Sequence, residues 1–290
     1  MTDQPHKRRE TDVKKATPTS VDQTWTANWH THTARCKHAS GAVADYCAAA
    51  VAYGLTDLGI SDHTPFPDDR WPSARMAMPE LPEYRAEIEA ARPRFAGLRL
   101  WAGLECEFRV ELGSFYRDAL LHEQRLDYLV GAVHWFPFHG DWVGADDPNV
   151  RNNPTALAAY ASHLIDCMRS GLFLFMAHPD FFGNFYECWD AETDAASRDI
   201  LQAARELKIP LEINAYGLRK PPVNTRQGTR PGYPWEPFWQ LAGELDAPAV
   251  VNSDAHRPKD IAGKVADALA LATRCGVRLV KLTPQPARTS

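Results

Sequence analysis

The chain has 290 residues, 44% hydrophobic and 24% charged, enough to bury a large core as one α/β barrel or as two ordinary domains. No apolar run nears the roughly 18 residues that a membrane span needs. A net charge of -5 and a pI near 6.1 give no general pull toward nucleic acid, so an anionic ligand needs a local site. Cys36, Cys47, Cys106, Cys167, Cys188 and Cys275 are scattered without a C-x-x-C pair, the pattern of reduced thiols in a cytoplasmic protein. Residues 1–23 are polar and mix Lys7, Arg8, Arg9, Lys14 and Lys15 with Asp3, Glu10 and Asp12, without the apolar core of a signal peptide. They read as a disordered polar tail ahead of a single domain over 24–290.

In chain order, the β-prone run ending at Trp29 carries His30 and His32 two apart, so on a strand both imidazoles point to the same side. His38 follows just before a predicted helix over 40–53, with Ser40 as N-cap and Gly54 at its end. A short buried strand over 56–61 leads into Asp62 and His63. Residues 65–78, rich in Pro, Asp, Arg, Trp and Met, read as a long loop and a candidate substrate lid. A helix over 79–95 precedes a strand over 98–104 with Glu105 at its tip. A helix over 113–125 and a strand over 126–133 deliver His134, and an aromatic loop spans 135–142. A helix over 154–170 and an apolar strand over 172–177 end on His178-Pro-Asp180. A helix over 194–208 and a strand over 210–215 open into a loop over 216–233 that holds Arg219, Lys220, Arg226 and Arg230. A strand over 249–252 precedes Asp254 and His256, a last helix spans 258–274, and residues 278–282 form a terminal strand.

Strands too apolar to face water on one side, alternating with helices, indicate a parallel sheet covered by helices, and a closed or nearly closed barrel fits best. In such barrels the active site lies at the C-terminal strand ends, where every residue just named falls. Of the 11 histidines, His30, His32, His38, His63, His134, His178 and His256 take such positions, together with Glu105 and Asp254. A single histidine at a strand end is ordinarily a hydrogen-bonded structural residue; this many at corresponding ends are not independent accidents. A mononuclear four-coordinate site uses three protein groups, so the set implies two or three metal ions, and multi-metal clamps suit phosphate-ester hydrolysis. His6 in the tail and His122 and His163 on helices read as structural. His139 in the aromatic loop reads as a surface residue or a substrate contact, and Asp62 as a ligand or as a group that orients an imidazole.

The motifs His30-Thr-His32, Cys36-Lys-His-Ala-Ser-Gly41, Ser61-Asp-His63, Gly103-Leu-Glu105, Val133-His134, Ala177-His-Pro-Asp180, Glu212-Ile-Asn214, Gly217-Leu-Arg-Lys220 and Asn252-Ser-Asp-Ala-His256 together resemble the polymerase and histidinol phosphatase (PHP) family over residues 25–262. Within it they are most similar to the histidinol-phosphatase branch. The resemblance implies a distorted (β/α)7 TIM-like barrel and three divalent ions, zinc, iron or manganese. It implies a phosphoric monoester hydrolase of histidine biosynthesis that uses a metal-activated hydroxide, with Glu105, Asp254 and His256 as catalytic groups. By position, His30, His32, Glu105 and Asp254 would hold the first ion. Glu105 would bridge to a second with His134 and His178, and His38, His63 and His256 would hold the third. Arg219 is the implied phosphate ligand, with Lys220 and Arg75 as further substrate-binding candidates. Where the branch carries an arginine after His-Pro-Asp, this chain reads Phe181, so Arg226 and Arg230 are candidates to replace it. The expected partner is a small phosphorylated substrate, neither nucleic acid nor membrane. The competing readings are a phosphoesterase for another small or nucleotide phosphate and a non-catalytic metal-binding barrel.

Overall fold

A computed structural model describes residues 25–284; the predicted polar tail, with His6, lies outside the described residues. The chain runs β1 (Ala27–Asn28), α1 (Val43–Tyr53), β2 (Asp57–Ile60), α2 (Leu81–Ala91), β3 (Arg99–Glu107), a π-helical segment (Phe115–Glu123) and β4 (Tyr128–Ala132). It continues through β5 (Trp135–Phe138), β6 (Asp141–Gly144), α3 (Pro154–Arg169), β7 (Phe175–Met176), α4 (Ala191–Leu207) and β8 (Leu211–Asn214). The last part comprises β9 (Val223–Thr225), β10 (Gly228–Arg230), α5 (Glu236–Glu244), β11 (Pro248–Asn252), α6 (Val265–Arg274) and β12 (Arg278–Leu279). Eight strands form one curled parallel sheet in the order β1-β2-β3-β4-β7-β8-β11-β12. At its upper end β1 meets β11 through a parallel bridge between Thr31 and Ala255 and a 2.9 Å bond from His32 N–H to the Ala255 carbonyl. At the lower end β12 lies along β11, and a cavity of 680 Å³ opens between Trp25, Trp29, Trp101 and Leu282. The fold is therefore the TIM-like α/β barrel that the β/α alternation predicts.

The period-2 geometry of strands explains the layering. On β3, Gly103, Glu105 and Glu107 face one side while Leu104 and Cys106 join the core under the helices. On β4, Tyr128, Val130 and Ala132 point into the barrel with Phe175, Ala177, Val250 and Trp29, forming an apolar floor. Glu212 and Asn214 on β8, and Asn252 and Asp254 at the end of β11, stand above it, all buried. The floor depends on close approach at two glycines. An added Cβ at Gly59 would lie 2.0 Å from the Tyr128 hydroxyl, and one at Gly103 2.4 Å from the ring, which fills that space and donates 2.7 Å to the Trp29 carbonyl.

Four expectations change in detail. The N-cap of α1 is Ala42, whose N–H donates to the Asp45 carboxylate at 2.9 Å, rather than Ser40; Gly54 ends the helix with φ +96. The 135–142 loop is an antiparallel hairpin, β5–β6, turned at His139 and Gly140, both with positive φ. The 216–233 loop contains a second hairpin, β9–β10. Helix α5, preceded by Trp235 and started by Glu236-Pro, covers the β8–β11 crossover that the sequence reading left unassigned. Gly103→Ala should cost about 1–3 kcal/mol of unfolding free energy by overpacking. Gly97→Ala, with open space around its Cβ, should change it little. Equal midpoints in denaturant titrations of the two variants would contradict this floor.

Candidate metal centre

Glu105 sits at the centre of the upper barrel, 2% exposed, with imidazoles on every side. Its Oε1 lies 3.1 Å from His178 Nε2, 3.4 Å from His30 Nε2 and 3.8 Å from His134 Nε2. Its Oε2 lies 2.9 Å from His63 Nδ1 and 3.4 Å from His32 Nε2. Asp254 closes the other side, with Oδ1 3.1 Å from His32 Nε2, 3.4 Å from His256 Nδ1 and 3.7 Å from His30 Nε2. His256 stacks between His32 and Tyr216, with centroids at 4.4 and 4.6 Å, and His38 lies 5.0 Å from His256 and 5.2 Å from His63. All nine residues selected from sequence thus converge on one barrel mouth.

The electrostatics call for cations. Burial alone would raise the Glu105 carboxyl, yet His30, His63 and His134 hold it well below the usual range. Asp254 is held low in the same way by His30, His256 and His32. Burial disfavours charge on His30, but Asp254, Glu212 and Glu105 outweigh it and raise that imidazole well above its ordinary value. Burial holds His32, His38 and His63 below the ordinary imidazole value, and His256 down at about 4, which favours the uncharged ring with a free lone pair that a metal requires. His30 Nε2, His32 Nε2, Glu105 Oε2 and Asp254 Oδ1 are buried and make no hydrogen bond among the described residues. Orphaned lone pairs in such number are costly unless a cation meets them. Donor atoms gather within 4.8 Å of one another in His30, His32 and Asp254, in His63, Glu105 and His134, and in His32, His63 and His256. This imidazole and carboxylate set fits zinc, iron or manganese.

Two carboxylates that the sequence reading did not assign hold this set in place. Glu212 Oε1 accepts from His30 Nδ1 at 2.9 Å and from Asn252 at 3.0 Å, while Oε2 accepts from His178 N–H and from Asn214. Glu107 Oε1 takes the Nδ1 side of His134, and its Oε2 accepts the His134 backbone N–H at 3.0 Å. Each fixes one nitrogen of a ring so that the other faces the cavity. The signal for Glu107 was available: it lies two residues beyond Glu105 on one strand and so shares its face. Asp62 bonds to no imidazole among the described residues: its two oxygens accept from the Thr33 N–H and hydroxyl at 2.8 and 2.7 Å, and burial pushes its carboxyl up to about 7.

The substrate-binding candidates divide. Lys220 lines the cavity above the cluster, about 340 Å³ in volume, packed on Tyr216 and Tyr233. Arg219 does not face it. Its Nη1 donates to the Gly263 carbonyl at 2.5 Å and its Nη2 to the Ser253 and Asp254 carbonyls at 2.8 and 3.0 Å. It therefore braces Asp254, whose φ of +47 is an uncommon backbone conformation that needs support. Arg230 is likewise spent on the Tyr186, Pro231 and Glu187 carbonyls and on the Trp235 face, and Arg226 is exposed on the β9–β10 turn. Arg75 is buried within the 65–78 loop, donating to the Thr64 carbonyl beneath Phe66 and Trp71. That loop borders the cavity at Ala74, and its Trp71 stacks on Trp135 of β5 at 4.5 Å. His122 is exposed, His139 lies at a hairpin tip, and His163 is buried on α3 against Trp142 and Phe108.

The sequence profile described as PHP domain matches residues 28–215. A Deinococcus radiodurans protein named probable histidinol-phosphatase is 33% identical over 249 residues, 83% of this chain and 90% of that protein. Among solved structures, a candidate histidinol phosphatase of Listeria monocytogenes superposes with a TM-score of 0.69 at 23% identity, covering 83% of this chain and 99% of that one. Histidinol phosphate phosphatase of Lactococcus lactis, solved with zinc, L-histidinol and phosphate, also gives 0.69, at 17% identity over 89% of this chain and 97% of that one.

Glu107→Gln should lower metal affinity about 10- to 100-fold in chelator competition, because the amide presents a different donor pattern to His134 Nδ1. Retained affinity would remove its orienting role. Arg219→Ala should reduce the metal content of the purified protein, since it frees the Asp254 backbone; unchanged content with a raised Michaelis constant would return Arg219 to phosphate binding.

Proposed function

The chain belongs to the PHP domain family, and from that premise we propose that it is a metal-dependent histidinol-phosphate phosphatase, converting histidinol phosphate and water to histidinol and phosphate. The observation that carries this reading is the buried Glu105 carboxylate ringed by imidazoles, with its own Oε2, His30 Nε2, His32 Nε2 and Asp254 Oδ1 left without hydrogen-bond partners among the described residues, in a chain 33% identical to a probable histidinol-phosphatase. His30, His32, Glu105 and Asp254 would hold one ion, Glu105 with His134 and His178 a second, and His38, His63 and His256 a third. When bound, the ions supply positive charge to the phosphate oxygens and lower the pKa of water.

The protein's own groups do the rest. Glu105 and Asp254 set the negative charge that selects divalent cations, and Glu107 and Glu212 hold the His134 and His30 rings in register. Lys220 is the cation that lines the cavity outside the cluster, so it takes the phosphate-binding role first assigned to Arg219. Trp135, Phe181, Tyr216 and Tyr233 wall the cavity and limit water, and their flat faces suit an imidazole-bearing alcohol. Phe181 in place of an arginine after His178-Pro-Asp180 favours a second reading, a related phosphomonoester as substrate.

The deciding assay is a panel of phosphomonoesters with metal-loaded protein. Histidinol phosphate should exceed glycerol phosphate, a nucleoside monophosphate and phosphotyrosine in specificity constant by about 100-fold or more, the discrimination that roughly two charged or stacked contacts give. Glu105→Gln should abolish turnover while circular dichroism stays that of the parent. A flat panel, or a preference for another ester, would refute histidinol phosphate. Near-normal turnover in Glu105→Gln would refute the bridging role.

A further inference from the structure

The cavity above the cluster is lined by His32, His38, His63, His134, His256, Glu105 and Asp254 from the metal set, by aromatic rings, and by two other charged groups, Lys220 and Asp146. Lys220 answers the phosphate. Asp146 follows β6, just past the hairpin whose Trp135 stacks on Trp71. Its carboxylate makes no hydrogen bond or ion pair with any described residue, in contrast to the neighbouring Asp147, which caps the Asn149 N–H at 2.8 Å. Asp146 is exposed; the hairpin before it is held by Trp142, which packs on His163 and lies under the Arg109 guanidinium at 4.5 Å, and the Asp147 N–H donates to the Gly144 carbonyl at 3.1 Å. A carboxylate with no internal partner, on a braced segment at the mouth of an aromatic cavity, has its charge available to a ligand.

We propose that Asp146 is a specificity-determining residue that pairs with the ammonium group of an amino-alcohol phosphate, an inference that rests on the phosphatase reading above. The phosphate end of the substrate meets positive charge at the cluster and Lys220. The organic end then lies toward the outer mouth, where Asp146 is the anionic side chain outside the cluster and the rings accept a planar group. A carboxylate there favours a cationic organic group over a neutral or acidic one, since pairing with an anionic group would place like charges together.

The test compares histidinol phosphate with its des-amino analogue, which keeps the imidazole, chain and phosphate but lacks the ammonium, in metal-loaded parent, Asp146→Asn and Asp146→Glu. The parent should prefer the amine by about 10- to 100-fold in kcat/KM, the size of a hydrogen bond to a charged group. Most of that should appear in KM. Asp146→Asn should bring the ratio close to one, and Asp146→Glu should restore part of it. A ratio that Asp146→Asn leaves as in the parent overturns the inference, including when both substrates slow in parallel, which is what simple damage to the segment would do. If the parent itself fails to turn over histidinol phosphate while hydrolysing another ester of the panel, the phosphatase reading for this substrate fails, and the Asp146 assignment falls with it by a separately recognisable result.

Discussion

A carboxylate buried at the centre of a barrel is tenable only with positive charge or hydrogen-bond donors around it, and Glu105 imposes that requirement on the whole upper half of the fold. Five imidazoles approach its two oxygens from the ends of four strands, His30 and His32 sharing one, so their convergence requires the sheet to curl. The Thr31–Ala255 bridge brings the His30 and His32 segment up against Asp254. Below, the Tyr128 ring fills the space over Gly59 and Gly103 and seals the floor with apolar side chains. The low dielectric that results strengthens every charge interaction above it and makes unpaired donors and acceptors costly.

That cost is distributed over a supporting shell. Glu212 alone ties together His30, the His178 backbone, Asn214 and Asn252, linking β8, β11 and the ends of β1 and β7. Two members of the metal set, His178 and Asp254, have positive φ, +29 and +47, conformations that persist only where neighbours over-determine them. Arg219 supplies that constraint at Asp254, and Glu212 accepts the His178 N–H. The geometry of the barrel mouth thus rests on Glu212 and Arg219, which stand behind the candidate metal set, as well as on the set itself.

Much of this was readable in the sequence, and the parts that were not share a cause. Apolar strands alternating with helices, most of them ending on a histidine or carboxylate, disclose both the barrel and the mouth that bears the chemistry, because period and position are local properties. The resemblance to the PHP motifs supplies the expected division of those residues among metal ions. Local pattern does not tell where a long cation's head goes: Arg219, Arg230 and Arg75 read as anion binders, yet each finds backbone carbonyls brought near by tertiary folding. The two hairpins were missed because proline and aromatic residues at 135–142 and paired prolines after Lys220 read as loop. Glu212 stood in a quoted motif, but its role appears only once β8 lies beside β11.

Anomalous X-ray diffraction from crystals of the chain grown with zinc, collected on both sides of the zinc edge, tests the central claim most directly. At least two anomalous peaks per chain are expected at the barrel mouth, with Glu105 in contact with two of them and His30, His32, His134, His178 and Asp254 among the ligands. A single ion that Glu105 does not touch, or no peak at the mouth, would contradict it.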